Sequence, residues 1–207
     1  MIELAAKLFL WSCWVSTYVL IIRRTQLDRT PGMPFFALCM NLSWEAMMLF
    51  VHEFGGPGWI TVLVWLLLDI VMFCQYFVYA RPRSPRALSE RLFWIRSLAV
   101  VAAGVGTPVI ITLHFQDFAG LIAAYFQNAL MSILFCAMIL SRDNLAGQSI
   151  YIAISKCLGT AVTLIYGEPS NLLLGWCYTL IVTFDLAYIA LIYVVARRDG
   201  IPVWTRV

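Results

Sequence analysis

Charged residues are scarce in this sequence. They make up 12% of the 207 residues, whereas hydrophobic residues make up 62%. Soluble domains carry about a quarter charged residues, so this composition excludes a water-soluble globular protein and indicates an integral membrane protein. No hydrophilic stretch is long enough to fold as a second unit. Residues 1–207 are therefore predicted to form a single transmembrane domain, whose first apolar run is retained as a span.

Apolar runs fill almost all the space between the helix breakers. They cover, in order, about residues 3–22, 34–53, 59–80, 94–115, 119–140, 148–166 and 171–196. Each run approaches or exceeds the ~20 residues that cross a hydrocarbon core, and the sixth is the shortest. The separators, such as GGPG and YGEPSN, are short and have loop chemistry. The predicted fold class is an all-α membrane protein, a compact bundle of seven transmembrane helices.

Basic residues are missing from every second loop. The second, fourth and sixth predicted loops contain no Lys or Arg, whereas the other loops and the C-terminal tail are rich in arginine. The positive-inside rule then predicts that the N-terminus faces outside and the C-terminus faces the cytoplasm. The membrane would be the plasma membrane in a bacterium and the endoplasmic reticulum membrane in a eukaryote. The arginines are predicted to meet anionic lipid headgroups, and no nucleic-acid partner is expected.

Patterns typical of metal or redox sites are also lacking. The cysteines fall inside predicted spans without CxxC spacing, so they are predicted to be small apolar packing residues. The two histidines, His52 and His114, lie near the outer ends of their helices without clustered ligands. Neither a metal site nor a cofactor is predicted.

A few polar side chains are nevertheless present at membrane depth. They are Glu45, Asp69, Arg96, Gln127, Asn128, Lys156 and Asp185. A charged side chain at the centre of a span costs about 2.5–3.5 kcal/mol on insertion scales, so such residues are functional candidates that face the bundle interior. The alternatives are a structural ion pair, for example between Lys156 and Asp69, and an Arg96 side chain that extends to the cytoplasmic interface.

The second apolar run contains the stretch NLSWE. Helical spacing places Asn41, Glu45 and His52 on one face, with Trp44 beside the acid. The seventh run carries a similar stripe, formed by Tyr178, Asp185 and Tyr188. Both acids lie well inside the apolar region, and we expect Glu45 and Asp185 to meet across a shared cavity. The alternative is that each stripe is a polar seam between helices.

Two carboxyl groups in a dry cavity predict acid chemistry. Burial disfavours the ionised form and neighbouring carboxylates disfavour joint ionisation, so at least one group is predicted to be a neutral Brønsted acid for a lipid-like substrate. Aromatic π-faces at this depth can stabilise a migrating positive charge, although packing and interfacial roles are the alternative. The aromatic candidates are Trp44, Trp65, Phe73, Tyr76 and Tyr125.

The NLSWE motif, together with the lone aspartate of TFDLAY in the last of seven helices, resembles the small integral-membrane terpene cyclases of meroterpenoid biosynthesis. These include the pyripyropene-type and the bacterial drimentine-type cyclases. The resemblance implies that the terminal alkene or epoxide of a farnesyl-type tail is protonated, that a carbocation cascade closes rings, and that a proton is finally lost. It also implies that no metal takes part, and the sequence has no DDxxD-like cluster that would hold Mg²⁺ on a diphosphate.

The same resemblance assigns catalysis to Glu45 and Asp185. The residues predicted to line or support the substrate pocket are Asn41, Trp44, Asp69, Tyr125, Asn128, Lys156, Tyr178 and Tyr188. The expected partners are a prenylated, farnesyl-type small molecule and the lipid bilayer.

A transport protein is the alternative from a different class. In a small seven-helix transporter or channel, Glu45, Asp185 and Lys156 would relay ions or protons. Transporters often show internal repeats and broken helices at matching positions, and the sequence shows neither. A rhodopsin-like photoreceptor is disfavoured because its lysine belongs on the last helix, whereas Lys156 falls on the sixth.

Overall fold

The computed structural model describes residues 2–50, 58–81, 90–163 and 171–207. Within these ranges it contains helices and no strand, which confirms the predicted all-α fold class. The helices are α1 (Ile2–Asp28), α2 (Phe35–Phe50), α3 (Gly58–Tyr79), α4 (Glu90–Phe115), α5 (Leu121–Arg142), α6 (Ile150–Ala161) and α7 (Leu172–Arg198). A short 3₁₀ turn follows at Val203–Thr205.

Five of these helices, α1, α3, α4, α5 and α7, are long and apolar enough to cross a membrane. The described parts of α2 and α6 are shorter, with 16 and 12 residues. At 1.5 Å per residue they extend over about 24 and 18 Å, less than a hydrocarbon core of ~30 Å. The protein is thus a multi-pass membrane protein. Full spans for α2 and α6, and the side of the membrane that each terminus faces, stay predictions.

Helix α1 continues beyond the predicted end of its apolar run. The Arg24 guanidinium donates two hydrogen bonds to the Asp28 carboxylate one turn later, at 2.9 and 2.5 Å. Such a pair stabilises the last turn of a helix. The helix ends where Arg29 adopts a left-handed backbone conformation, with φ of 48°.

The bundle is held by close helix pairs, chiefly α5 with α7, α2 with α4, α1 with α6 and α2 with α3. The α2–α4 approach depends on Gly104, because a Cβ atom there would lie 2.5 Å from Cys39 Cβ. The main core cluster includes the buried rings of Tyr18, Phe135 and Tyr188. Many large apolar side chains, among them Leu98, face outward, as expected for a lipid-facing surface.

Polar contacts tie one end of the bundle together. Asp28 accepts hydrogen bonds from Arg24, from the backbone N–H of Gly147 at 2.8 Å and from Arg206 Nη2 at 2.8 Å. Arg206 also donates to the carbonyl of Leu145. Burial lowers the pKa of the Arg206 guanidinium from its usual value, and the neighbouring Asp28 carboxylate opposes that shift. The tail is thereby attached to the last residue of α1 and to the loop after α5.

The predictions for cysteine and histidine have mixed outcomes. All six cysteines are free thiols. Four of them are buried, as predicted, but Cys74 is exposed on α3 because its helix face points out of the bundle. His114 packs its ring edge-on against Phe115. His52 lies outside the described residues.

Candidate functional site

A cavity of about 250 Å³ opens inside the bundle next to Glu45. Its walls come from α1, α2, α3, α5 and α7, with Thr160 and Thr163 at the end of α6. The lining includes Trp14, Tyr18, Asn41, Trp44, Glu45, Trp65, Tyr125, Gln127, Asn128, Met131 and Ile181. The sequence-predicted site residues Asn41, Trp44, Glu45, Tyr125 and Asn128 thus lie around one space. Most of the remaining wall is apolar or aromatic.

Glu45 is almost fully buried, with 1% of its surface exposed. Its Oε1 atom accepts a hydrogen bond of 3.4 Å from the hydroxyl of Tyr18 on α1. That hydroxyl in turn accepts a hydrogen bond of 2.7 Å from Asn41 Nδ2. The two hydrogen bonds run in one direction, from Asn41 to Tyr18 and from Tyr18 to Glu45, so the amide supports the acid through the tyrosine. A negative charge on Glu45 would be stabilised by this chain of donors.

Asp69 on α3 is the second carboxyl group at this site. It is fully buried beside Glu45, close enough for the two carboxyl groups to interact, and neither of its carboxyl oxygens has a hydrogen-bond partner among the described residues. Two ionised carboxylates cannot donate to one another, so a hydrogen bond between these groups requires a proton on one of them. Asp69 is not among the described residues that line the cavity. It lies behind Glu45 as its partner.

The Trp44 side chain closes one side of the cavity. Its Nε1–H donates to the carbonyl oxygen of Gly120 at 2.8 Å, which attaches α2 to the turn before α5. Gly120 has a φ of 68°, and a Cβ atom there would lie 2.5 Å from Met48 Cε and 2.8 Å from Trp44 Nε1. Asp117 fixes the same turn, because its carboxylate accepts from the backbone N–H groups of residues 121–123. Glycine is required at position 120 both for its backbone conformation and for the space it leaves.

Four polar atoms of cavity-lining residues have no hydrogen-bond partner in the described part of the chain. They are the indole Nε1–H of Trp65, the amide oxygens of Asn41 and Gln127, and Oε2 of Glu45. Buried polar groups are usually hydrogen-bonded, so unpaired groups beside a cavity are available to a bound molecule. The indole is a donor, and the two amide oxygens are acceptors.

Asp185 is placed differently from the expectation of a cavity shared with Glu45. Its Oδ1 atom forms a buried ion pair with Lys156 Nζ at 2.7 Å, and Asp185 is not among the described lining residues. A shared cavity was therefore a wrong expectation, and so was the pairing of Lys156 with Asp69. The physical reason is that a buried ammonium group needs a carboxylate within reach, and the contact between α6 and α7 supplies Asp185.

Lys156 links this ion pair to the cavity wall. Its ammonium group also donates to Ser132 Oγ at 2.7 Å and to Asn128 Oδ1 at 3.0 Å. An ammonium group has three donors, and these three acceptors use them all. Asn128, oriented in this way, donates from Nδ2 to Thr160 Oγ1 at 3.2 Å. Asp185 thus reaches the cavity indirectly, through Lys156 and Asn128.

The two tyrosines of the α7 stripe also lie off the cavity. The hydroxyl of Tyr188, which is fully buried, donates to Gln148 Oε1. Tyr178 is buried as well, and its hydroxyl has no partner among the described residues. The expectation that Tyr188 lines the same chamber as Glu45 was wrong, because the packing of α7 against α5 turns its ring toward Phe135.

Tyr18 was not among the residues predicted from the sequence, and two of the predicted aromatic residues lie away from the cavity. Phe73 and Tyr76 belong to an aromatic cluster with Phe35, which stacks on Tyr76 with ring centroids 3.5 Å apart. Trp65 and Tyr125, by contrast, lie at the cavity as predicted. No local signal in α1 distinguishes Tyr18 from its aromatic neighbours, since only helix packing brings it to Glu45. Across the described ranges, no three His, Cys, Asp or Glu side chains converge as metal ligands, and metal independence stays a prediction.

This membrane-embedded helical bundle with a buried carboxyl pair beside an aromatic cavity belongs to a known class of membrane proteins. Residues 2–198 match the family of Pyr4-like transmembrane terpene cyclases, and the chain belongs to that family. This confirms the resemblance drawn from NLSWE and TFDLAY. No solved structure gives a significant match.

Three curated relatives are fungal proteins. The chain is 31% identical to the terpene cyclase macJ of Penicillium terrestre, over 71% of this chain and 59% of the relative. It is 24% identical to the Pyr4-family terpene cyclase mfmH of Annulohypoxylon moriforme, over 72% and 62%. It is 26% identical to the terpene cyclase esdpB of Penicillium shearii, over 95% and 87%. The chain thus spans about three fifths of the length of the first two relatives.

Proposed function

We propose that the protein is a membrane-bound terpene cyclase in which Glu45 protonates the terminal alkene or epoxide of a farnesyl-type tail. The placement of Glu45 carries this proposal. It is the one acidic side chain among the described residues that line the cavity, and it is buried, partnered and faced by aromatic rings. The family relationship supports cyclisation as the activity.

In this mechanism the Glu45–Asp69 pair holds the initiating proton. Transfer of that proton to the terminal carbon of the alkene, or to the epoxide oxygen, leaves a carboxylate on Glu45 and generates a carbocation in the substrate. The Tyr18 hydroxyl then stabilises the carboxylate, with Asn41 behind it. General acid catalysis of this kind typically contributes about 10²–10⁴ in rate.

The walls of the cavity suit the steps that follow protonation. The rings of Trp14, Trp44, Trp65 and Tyr125 surround the space, and aromatic faces attract a positive charge. The carbocation closes rings by adding successive alkenes and ends by losing a proton, so the alkene route yields an isomer of unchanged mass. An epoxide instead yields a ring hydroxyl, again without change of mass.

The size of the cavity bears on how a substrate would bind. At about 250 Å³ it is smaller than the ~300–1,000 Å³ of typical small-molecule pockets. We infer that the cavity holds the folded prenyl tail and that the polar head of the substrate lies outside it. The tail would enter from the lipid phase.

We further propose that Asp185 is a positioning residue. By neutralising Lys156 it allows that ammonium group to stay buried, and Lys156 in turn orients Asn128 on the cavity wall. A role for Asp185 in the reaction is retained from the family resemblance, but it is exerted through other residues. For the membrane we propose the endoplasmic reticulum in a eukaryotic source and the plasma membrane in a bacterial one.

The experiment that tests the function expresses the chain in a host supplied with farnesylated or epoxyfarnesylated aromatic acceptors. Cyclised products of unchanged mass, absent with the Glu45→Gln variant, are the expected result. Linear substrate recovered unchanged from membranes that contain well-folded protein would contradict the proposal. Proton or ion flux in liposomes would instead favour the transporter alternative.

A further inference from the structure

A second cavity, of about 350 Å³, lies near the α1–α2 connection. Its walls are that connection, the end of α3, the first turns of α4 and the end of α5 with the loop that follows. It shares no described lining residue with the cavity beside Glu45. The lining residues are Thr30, Pro31, Met33, Pro34, Phe35, Tyr76, Ala80, Arg96, Met138, Arg142, Asn144 and Ala146.

The two charged groups among the described lining residues of this cavity are both cations. Arg96 comes from α4 and Arg142 from the last turn of α5, and none of the described lining residues is acidic. Arg142 is fixed in place, because its Nη1 atom donates to the carbonyl oxygens of Pro31 and Ala146, each at 2.9 Å. Arg96 is exposed, and within the described ranges no hydrogen bond or ion pair holds its guanidinium. Together they place two positive groups at one opening.

The remaining walls of this cavity are mostly apolar. Phe35 and Tyr76 form a stacked aromatic pair with an interplanar angle of 2°, and Met33 and Met138 extend that surface. A small free anion would bind the two arginines and leave the apolar surface uncovered. A phospholipid would use both, since its phosphate can accept from guanidinium groups while its glycerol and acyl chains cover apolar side chains.

The position in the chain agrees with such a ligand. The cavity lies at the end of the bundle where the arginine-rich loops occur, the end predicted to face the cytoplasm. Basic residues beside a membrane attract anionic lipids within the reach of their charge. The Arg96 side chain, which was expected to extend toward this interface, lines the opening with the loop residues Thr30 and Asn144.

We propose that this second cavity binds the phosphate of an anionic phospholipid, with Arg96 and Arg142 as the phosphate ligands. The site is separate from the proposed cyclisation cavity, so the lipid-binding proposal can be tested independently of the proposed reaction. Its function would be to fix a lipid between the α1–α2 connection and the end of α5.

The test uses the full chain purified in a neutral detergent and titrated with dioleoylphosphatidylglycerol or with dioleoylphosphatidylcholine. Bound lipid is counted by native mass spectrometry. The wild-type protein should retain the anionic lipid in preference to the zwitterionic one. Arg96→Gln should weaken retention of the anionic lipid about tenfold, the scale of a lost hydrogen bond to a charged group.

The matched control is Arg91→Gln, which removes the same charge from an exposed position of the same helix outside the cavity. It should bind the anionic lipid as the wild type does, and Arg96→Lys should show intermediate retention. Equal binding by Arg96→Gln and wild type would overturn the site, and so would equal losses in Arg96→Gln and Arg91→Gln. Displacement of the lipid by millimolar inorganic phosphate would overturn the lipid as occupant in favour of a soluble phosphate.

Discussion

The carboxyl groups of Glu45 and Asp69 are close enough to interact electrostatically inside the helical bundle, and both side chains are almost completely shielded from the surroundings. Two acids from different helices at such a place cannot both ionise at little cost, because each charge opposes the other and neither is solvated. We therefore expect the two carboxyl groups to share one proton. Glu45 faces the cavity, and Asp69 lies behind it.

Replacing Glu45 by glutamine tests the proton donor. The amide keeps the size of the side chain but cannot transfer the initiating proton, so we expect product formation to fall at least about 10²-fold. Conversion of a farnesylated acceptor by isolated membranes, measured by mass-resolved chromatography, provides the readout. Glu90→Gln, which removes an exposed carboxylate at the start of α4, is the matched control and should keep full activity. Normal turnover by Glu45→Gln would refute the assignment.

Replacing Tyr18 by phenylalanine tests the hydrogen-bond chain. The variant removes only the hydroxyl that joins Asn41 to Glu45. Losing a hydrogen bond to a charged group costs about 1.5–3 kcal/mol, so turnover should fall roughly 10- to 100-fold while the substrate concentration for half-maximal rate stays similar. Tyr151→Phe, whose hydroxyl bonds the Trp204 carbonyl far from the cavity, should be unaffected. An unchanged rate in Tyr18→Phe would show that the hydroxyl does not assist Glu45.

Asp69 should affect the chemical step and not the binding of the tail, since it does not line the cavity. We expect Asp69→Asn to lower kcat with little change in KM, and Asp69→Leu to lower it further, because asparagine can still donate a hydrogen bond to Glu45. Steady-state kinetics on both variants decides the matter. A rise in KM alone, with kcat preserved, would mean that Asp69 shapes the pocket instead.

Variants of the buried ion pair between Lys156 and Asp185 test whether Asp185 has a positioning role or takes part directly in catalysis. Removing one partner of such a pair costs about 3–5 kcal/mol, so Asp185→Leu should unfold at clearly lower temperature in detergent than the wild type. The double variant Lys156→Met with Asp185→Leu leaves no buried charge unpaired and should recover most of that stability.

The activity of the double variant then shows whether the Asp185 carboxylate is needed for catalysis itself. If Asp185 acts through Lys156 and Asn128, the stable double variant should keep a measurable fraction of the cyclase activity. Complete inactivity of a stable double variant would show that the Asp185 carboxylate is required in its own right. Thermal unfolding monitored by tryptophan fluorescence establishes stability before activity is compared.

Arg206 should stabilise the loop end of the bundle. Its guanidinium is partly buried and bonds both Asp28 and the Leu145 carbonyl, so Arg206→Ala should cost about 1–3 kcal/mol and lower the unfolding temperature by several degrees. Arg198→Ala removes an exposed arginine whose ion pairs are worth little, and it should leave stability nearly unchanged. Equal effects of the two variants would argue against the tail as a structural tie.

The sequence alone determined the class of protein and one half of the site. Scarce charge and repeated apolar runs require a membrane bundle, and helical spacing places Asn41 and Glu45 on one face because neighbours within a helix follow from its 3.6-residue period. Only the tertiary structure decided which helices meet. Helix packing places Tyr18 and Asp69 next to Glu45 and pairs Asp185 with Lys156. Such contacts between distant segments depend on the fit of whole helix surfaces, as in the close approach of α2 and α4 that Gly104 permits.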